Sequence, residues 1–297
     1  MSEYDEFSMF ADNAREAGLD YDRAPMVERR SVTVESGREV SSLVWGETPP
    51  ELVLVHGGAQ NAHTWDTVAL ALDRPLVAVD LAGHGHSAWR DDHRYWPPDL
   101  SEDVATVVRD LAPEAQLVVG MSLGGLTAIC LAAQHPNLVS KLALVDITPG
   151  TDHAKAEPII TFMSGPESFA GFDEILERTV EFNPSRSVSS LRRGILHNAK
   201  EEGDGTWTWR WDPVKNWSFD DGVPSFDQLW DKVSAVEAPL LLLRGGADGS
   251  VVGDEDVTEL LRRRPEASVT TVADAGHSIQ GDQPVELARL LDAFLTG

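Results

Sequence analysis

Short runs of purely apolar residues, separated by segments of helical periodicity, constrain the fold more than any other feature of this sequence. Strands that are apolar on both faces are typical of a parallel sheet that helices cover on both sides. The apolar runs lie at 52–55, 76–79, 117–119, 142–145 and 239–243, and a further strand is predicted at 269–272. The segments with apolar residues at helical spacing lie at 64–72, 100–111, 123–133, 255–264 and 284–295. This alternation predicts an α/β fold with a mostly parallel sheet.

The chain before the first apolar run adds two strands to this prediction. The stretches 31–34 and 40–45 have the composition of strands and flank a turn at Gly37. They bring the predicted sheet to eight strands. Residues 1–28 are predicted to form an acidic N-terminal extension with a short helix near 3–17.

The alternation of strands and helices is interrupted once. It stops after the sixth predicted strand, at Asp146, and resumes near residue 236. The residues between are irregular in pattern and rich in Pro, Ser, Asp and Trp. We therefore expect a core of residues 29–146 and 236–297, and an insertion at 147–235 that is too long for an ordinary connecting loop.

Composition and charge exclude several classes of protein. The 297 residues include 24 basic and 49 acidic side chains, a net charge of −25 that repels phosphate backbones and anionic lipid surfaces. We expect neither a nucleic acid nor a membrane partner, and the oligomeric state stays open. The single cysteine, Cys130, excludes an intrachain disulfide and a cysteine-based zinc site. The first 25 residues have no basic start and no long apolar stretch, which predicts no signal peptide and a cytoplasmic location.

One segment carries the pattern of a nucleophilic serine. Gly120-Met121-Ser122-Leu123-Gly124 follows a predicted buried strand and opens a predicted helix. In a G-x-S-x-G turn of this kind, glycines occupy positions too tight for side chains and the serine is exposed at the end of the strand. The start of the following helix also stabilises negative charge that develops nearby. We predict that Ser122 is the nucleophile.

A glycine-rich loop follows the first apolar strand at His56-Gly57-Gly58. Acyl transfer needs N–H donors that point at the oxyanion of the tetrahedral intermediate. A glycine-rich loop leaves its backbone N–H groups accessible for this purpose. We assign the two donors of an oxyanion hole to Gly58 and Leu123, and we expect His56 to brace the loop rather than to take part in the chemistry.

A serine hydroxyl is a poor nucleophile at neutral pH and needs a neighbouring base. Histidine suits this role because its ordinary pKa lies near working pH. Of the nine histidines, His277, in Ala275-Gly276-His277-Ser278, is the one that follows the last predicted strand. This gives the chain order serine, acid, histidine. We predict that His277 is the general base.

Two aspartates compete for the acid that orients the histidine. Asp248 lies in the loop Gly245-Gly246-Ala247-Asp248-Gly249, which is flexible enough to fold a carboxylate toward His277. Asp146 directly follows the strand 142–145. Its two candidate roles are to orient the histidine and to anchor the start of the insertion. We favour Asp248 and keep Asp146 as the alternative acid.

Taken together, the HGG, DLAGHGHS, GMSLGG, RGGAD and AGH segments resemble the α/β-hydrolase superfamily over residues 30–297, apart from the insertion. The resemblance implies the α/β-hydrolase sheet, a Ser-Asp-His triad, and a lid (cap) at 147–235. Members that act as haloalkane dehalogenases or epoxide hydrolases have an aspartate nucleophile, and epoxide hydrolases use lid tyrosines. Here the nucleophile position is Ser122 and the insertion has no tyrosine, which disfavours both activities.

Two further patterns carry weaker predictions. Trp207, Trp209 and Trp211 alternate with other residues after an Asp-Gly turn, as on one face of a strand. They form either a small core of the insertion or an aromatic wall that binds substrate. The histidines and aspartates around 84–93 resemble a hydrolytic metal motif, but the spacing fails because residue 88 is alanine. We expect no metal site and no cofactor.

These residues and the resemblance predict a serine hydrolase that cleaves a carboxylic ester or lactone through an acyl-enzyme. The expected partner is a small-molecule substrate. Three alternatives share the fold and triad: a hydrolase of carbon–carbon bonds in ketones, a ligand sensor, and a cofactor-free perhydrolase or oxygenase.

Overall fold

The structure, a computed structural model, describes residues 4–151, 153–184, 186–213 and 226–297. Its strands are β1 (Val27–Thr33), β2 (Glu39–Trp45), β3 (Leu52–Val55), β4 (Leu76–Val79), β5 (Leu117–Met121), β6 (Leu142–Val145), β7 (Ser168–Phe169), β8 (Ala199–Glu201), β9 (Trp207–Trp209), β10 (Leu240–Gly245) and β11 (Ser268–Val272). Its α-helices are α1 (Phe10–Ala17), α2 (Asp66–Leu72), α3 (Pro97–Leu111), α4 (Leu123–Gln134), α5 (His153–Met163), α6 (Phe172–Phe182), α7 (Val188–Asn198), α8 (Trp230–Ala235), α9 (Asp254–Arg263), α10 (Ile279–Asp282) and α11 (Pro284–Thr296).

The main sheet has eight strands within the described residues, in the order β1-β2-β4-β3-β5-β6-β10-β11. β2 is antiparallel to both of its neighbours, and every other neighbouring pair is parallel. This confirms the predicted α/β fold with a mostly parallel eight-stranded sheet. The parallel strands all end at one edge, where their loops can bring side chains together.

Alternate residues of each central strand face two separate hydrophobic cores. In β3, Val53 and Val55 pack into the core that includes α3 and α4, while Leu52 and Leu54 pack into the core that includes α2 and α11. All four side chains are fully buried. Burying a Val or Leu side chain stabilises the fold by about 1.5–3 kcal/mol. The apolar runs in the sequence therefore reflect burial on both faces.

The N-terminal extension packs against the sheet through α1. This helix begins at Phe10, later than the predicted start near residue 3, and Gly18 ends it with φ = 70°. The Phe10 ring packs against Trp45 of β2 with centroids 4.9 Å apart. The extension is thus part of the folded structure on the side of α2.

The residues between β6 and β10 are more ordered than the sequence pattern suggested. Where the sequence indicated irregular structure, α5, α6 and α7 alternate with a three-stranded antiparallel sheet in the order β7-β9-β8. Apolar residues such as Leu191 and Ile195 of α7 are spaced four apart, and both are buried. Helix α6 buries two side chains and α7 buries three, so the apolar pattern of these helices is too sparse to recognise in the sequence.

Candidate active site

Ser122 lies at a sharp turn between β5 and α4. Its backbone has φ = 51° and ψ = −123°, a conformation that residues with a β-carbon rarely adopt. A β-carbon on Gly120 would lie 2.4 Å from the carbonyl oxygen of Gly124, and one on Gly124 would lie 2.3 Å from that of Val55. The turn therefore packs tightly against β3 and needs glycine at both positions. It leaves Ser122 partly exposed at the carboxyl edge of the sheet.

The glycine-rich loop after β3 lies directly against this turn. β3 pairs with β5, and a β-carbon on Gly57 would lie 3.0 Å from that of Ser122. The N–H of Gly57 donates to Oε1 of Gln60 at 3.1 Å and so holds the loop in shape. Gly58 follows in the same loop, and Leu123 is the first residue of α4, whose first N–H groups have no acceptor within the helix. The two predicted oxyanion donors therefore belong to neighbouring segments.

His56 braces the base of this loop. It is fully buried, and its Nε2 accepts a hydrogen bond from the N–H of Leu81 at 2.9 Å. Its Nδ1 lies 2.7 Å from the carbonyl oxygen of Gly57 and donates to it. Burial lowers the pKa of His56, which keeps the ring neutral for these two bonds. The contacts match the bracing role expected from the sequence.

His277 meets a buried carboxylate at the same edge of the sheet. Its Nδ1 lies 3.0 Å from Oδ2 of Asp146, whose side chain has no exposed surface. Two backbone N–H groups, those of Gly245 and Val251, donate to this carboxylate at 2.8 and 2.9 Å, and the hydroxyl of Ser250 donates at 2.6 Å. These donors replace the water that the carboxylate loses on burial. With Nδ1 bonded to Asp146, Nε2 of His277 is the nitrogen that can accept a proton.

The strand order explains why Ser122, Asp146 and His277 lie at the same edge of the sheet. Ser122 follows β5, Asp146 follows β6, and His277 lies in the loop after β11. In the sheet these strands run β5-β6-β10-β11, so Asp146 lies between the positions of the other two. The backbone of Asp146 is itself in the left-handed region, with φ = 47°, and its N–H donates to the carbonyl oxygen of Leu243 at 2.7 Å.

The structure corrects the preference for Asp248 as the partner of His277. The side chain of Asp248 is exposed, and it is Asp146 that contacts the imidazole. The glycine-rich loop does reach the histidine loop, but through its backbone: the N–H of Ala247 donates to the carbonyl oxygen of Ala275 at 2.9 Å. The loop therefore supplies hydrogen-bond donors to Asp146. It does not supply the carboxylate that contacts His277.

Trp207, Trp209 and Trp211 of the insertion are buried. Trp209 and Trp211 stack with ring centroids 4.2 Å apart, and Trp207 packs edge-on against Phe172 at 5.1 Å. All three join a hydrophobic cluster that also includes Ala59, the neighbour of Gly58. Trp209 and Trp211 also line a cavity of about 390 Å³, whose described lining residues do not include the catalytic candidates. These contacts favour the interpretation as a core, and a role in substrate binding stays a prediction.

Helix α7 is hydrogen-bonded to the glycine-rich loop. At its C-terminal end, Nδ2 of Asn198 donates to the carbonyl oxygen of Ala59 at 2.6 Å. In return, Nδ2 of Asn61 donates to the carbonyl oxygen of His197 at 3.0 Å and to Oδ1 of Asn198 at 3.1 Å. The insertion therefore contacts the loop that carries one of the predicted oxyanion donors.

Comparison with known proteins identifies relatives of this chain. The chain is 46% identical to esterase Rv0045c of Mycobacterium tuberculosis over 98% of this chain and 96% of that protein. It is 30% identical to the 3-hydroxybutyrate-oligomer hydrolase of Cupriavidus necator over 85% of this chain and 91% of that protein. A solved structure of Rv0045c, from work on its inhibition by transition metals, matches with a TM-score of 0.88, 44% identity and full coverage of both chains. The model of the alpha/beta hydrolase family matches residues 52–290. The chain belongs to the alpha/beta hydrolase family.

In this alpha/beta hydrolase, two residues that contribute to the site were not predicted from the sequence. Ser250 donates to Asp146, and Asn198 holds the carbonyl of Ala59. Both act across long separations in the chain, and neither lies in a recognisable motif. The position of Ser250, two residues after Asp248 in the loop that follows β10, is the one signal that could have drawn attention to it.

Proposed function

We propose that this alpha/beta hydrolase cleaves a carboxylic ester or lactone in two steps, through an acyl-enzyme on Ser122. His277 acts as general base, and Asp146 orients it. The observation that carries this proposal is the hydrogen bond between Nδ1 of His277 and the buried carboxylate of Asp146, at the sheet edge where Ser122 ends β5. A carboxylate in that position holds the required tautomer and stabilises the imidazolium that forms during catalysis.

In the first step, Oγ of Ser122 attacks the carbonyl carbon while its proton passes to Nε2 of His277. The carbonyl oxygen becomes an oxyanion and accepts hydrogen bonds from the N–H groups of Gly58 and Leu123. When the bond to the leaving oxygen breaks, His277 gives its proton to that oxygen, and the acyl group stays on Ser122. Asp146 remains ionised throughout.

In the second step, His277 takes a proton from a water molecule as the water attacks the acyl carbon. A second oxyanion forms and is stabilised by the same two N–H groups. Collapse of this intermediate releases the carboxylic acid, and His277 returns its proton to Oγ of Ser122. The cycle needs no cofactor, because every proton is exchanged between Ser122, His277, water and substrate.

The choice of an ester rests on chemistry and on similarity together. One relative is named an esterase, and the chain matches it over nearly its whole length. A serine–histidine pair beside two N–H donors suits the carbonyl of an ester, whose alkoxide leaves readily once protonated. A carbon–carbon hydrolase, a sensor or a perhydrolase would use the same residues, and the substrate panel below separates them.

We propose further that residues 147–235 act as a lid over this site. Two polar contacts with the core support this: Asn198 donates to Ala59 in the loop after β3, and Asp212 accepts a hydrogen bond from the hydroxyl of Tyr95 at 2.6 Å. Both contacts lie on loops that follow neighbouring strands of the sheet. The lid would then shape the entrance for the acyl or alcohol group of the substrate.

We also infer a cytoplasmic protein that binds neither nucleic acid nor membranes. The net charge of −25 disfavours polyanionic partners. In the part of the chain that the structure describes, no helix combines the length and apolar character needed to cross a membrane.

The test is a substrate panel with an adduct measurement. Wild type and Ser122→Ala are compared on p-nitrophenyl esters of increasing acyl length, a small lactone, and a ketone substrate of carbon–carbon hydrolases. We expect ester turnover that falls by several orders of magnitude in Ser122→Ala, and an acyl adduct in the intact mass of quenched wild type.

Each alternative gives a different outcome in this panel. Cleavage of the ketone with inert esters would indicate the carbon–carbon hydrolase, and peroxide-dependent product would indicate the perhydrolase. Slow turnover with tight ligand binding would indicate the sensor. Ester hydrolysis that survives unchanged in Ser122→Ala would reject the proposed nucleophile.

A further inference from the structure

Three titratable side chains that the proposed mechanism does not use meet in the interior of the molecule. His63 lies in the 3-10 turn Ala62–Trp65, Asp66 is the first residue of α2, and His197 lies in the last turn of α7. Nδ1 of His63 is 2.9 Å from Oδ2 of Asp66, and Nε2 of His197 is 3.7 Å from the same oxygen. The side chains are 3%, 2% and 5% exposed, respectively. One nitrogen of each ring and a carboxylate oxygen all lie within 4.8 Å of one another.

Two polar atoms in this cluster lack a hydrogen-bond partner among the described residues. They are Nε2 of His197 and Oδ1 of Asp66. A buried nitrogen or carboxylate oxygen without a partner destabilises an ordinary protein interior. Nε2 of His197 faces Oδ2 of Asp66 at 3.7 Å, which is too long for a hydrogen bond. A ligand other than a protein atom would satisfy both side chains.

The outer nitrogens of both rings, by contrast, have partners. Nε2 of His63 lies 3.0 Å from a carboxylate oxygen of Glu6, and Nδ1 of His197 lies 2.7 Å from the hydroxyl of Tyr4. Histidines that ligate metals usually donate their other N–H to a carboxylate or another oxygen, which fixes the tautomer and turns the lone pair inward. Glu6 occupies this position beside His63, and Tyr4 occupies it beside His197.

The charges around the cluster favour a divalent cation. The carboxylates of Glu6, Asp66 and Asp80 lie around it, and the guanidinium of Arg29 contacts Glu6 and Asp80 at 2.6 and 2.7 Å. Among the described residues, Asp66 pairs only with the two histidines.

We propose that His63 Nδ1, Asp66 and His197 Nε2 form a binding site for a divalent transition metal ion of the Zn²⁺ type. Two imidazoles and a carboxylate are ligands that suit Zn²⁺, and water completes the fourth position. The two rings are stacked 3.8 Å apart and within 12° of parallel. A metal cannot lie in both ring planes in that arrangement, so binding tilts one ring.

The experiment uses the full-length chain without a histidine tag. Protein treated with chelator and then dialysed is titrated with ZnCl₂ in a calorimeter, and bound metal is measured by elemental analysis. We expect one equivalent of Zn²⁺ in wild type. His197→Gln and Asp66→Asn remove ligands and should weaken binding at least about tenfold, and Co²⁺ should give d–d absorption bands in wild type that His197→Gln loses.

Control variants locate the site and guard against misfolding. His277→Gln and His135→Gln change histidines elsewhere in the molecule and should keep wild-type zinc binding. Tyr4→Phe changes a partly exposed residue that touches His197 through one hydrogen bond, and should weaken binding about tenfold with the fold intact. Circular dichroism checks the fold of each variant, and fluorophosphonate labelling adds a second check for every variant except His277→Gln.

Three results would overturn the proposal. The first is that wild type binds no zinc at a large molar excess, and the second is that folded His197→Gln and Tyr4→Phe both bind zinc with wild-type affinity. The third is that His277→Gln loses the zinc. The last result would place the metal at the active site.

Discussion

Asp146 accepts hydrogen bonds from two backbone N–H groups, a serine hydroxyl and the imidazole of His277, and it is fully buried. An ionised carboxylate is stable in such a place only because each lone pair has a donor. Asp248 has no comparable environment, since its side chain is exposed to water. At the scale of single residues, the environment of the carboxylate decides which aspartate can serve the histidine.

The first prediction separates the two aspartates. Asp146→Asn should lower kcat by about four orders of magnitude, because an amide at this position favours the wrong tautomer of His277. Asp248→Asn should leave kcat close to wild type, because its side chain points to solvent. Both are measured by steady-state ester hydrolysis, with thermal unfolding to show that each variant is folded. A larger loss of kcat in Asp248→Asn would return the acid role to Asp248.

At the scale of secondary-structure elements, the end of α7 holds the loop after β3. Ala59 has φ = 58°, and its carbonyl oxygen is fixed by Nδ2 of Asn198. The preceding residue, Gly58, carries a proposed oxyanion donor. A helix of the insertion thereby restrains the peptide next to the donor, which makes Asn198 a candidate positioning residue.

The second prediction tests this restraint. Asn198→Ala should lower kcat about tenfold and change KM little. Complete loss of an oxyanion donor lowers kcat by about 10²–10³, and in this variant the donor is displaced but still present. The matched control is Asn183→Ala at the end of α6, whose side chain donates to the carbonyl oxygen of Thr179 within its own helix region. Equal effects of both substitutions on kcat would mean that Asn198 acts through general stability.

At the scale of the whole molecule, one network of charges joins distant parts of the chain. Glu6 of the N-terminal extension contacts Arg29 of β1 and His63, and Arg29 in turn contacts Asp80 after β4. His63 also contacts Asp66 at the start of α2. The N-terminal extension therefore contacts the core in two ways, through the ion pairs of Glu6 and through the packing of α1.

The third prediction follows from the pKa of His63, which neighbouring carboxylates raise to about 9 although burial opposes it. Because the pKa of His63 is higher in the folded protein than its unfolded value of about 6.5, protonation of His63 stabilises the fold. This stabilisation is complete below pH 6.5 and is lost as the pH rises through 9. The difference in unfolding free energy between wild type and His63→Gln should therefore shrink by about 3 kcal/mol from pH 6 to pH 10. Urea unfolding with chelator present measures it. Parallel pH profiles would contradict the assignment.

The sequence predicts those features that depend on local pattern. The strands, the tight glycine turn at Ser122 and the position of His277 after the last strand all follow from residues within a few positions of each other. The partner of His277 depends on which way a glycine-rich loop turns. That is settled by hydrogen bonds to the Asp146 side chain from Gly245 at the end of β10 and from Val251 in the loop after it. The cluster of His63, Asp66 and His197 arises from packing between the insertion and the core, which no local pattern reports.

The most direct test of the central claim is to locate the nucleophile by covalent labelling. Wild type is treated with a fluorophosphonate, which reacts with serines that a histidine activates, and the modified peptide is identified by mass spectrometry. We predict one adduct per chain, on Ser122, and none in Ser122→Ala. His277→Gln should label far more slowly, because the base is missing. An adduct on another serine, or full labelling of folded Ser122→Ala, would contradict the account.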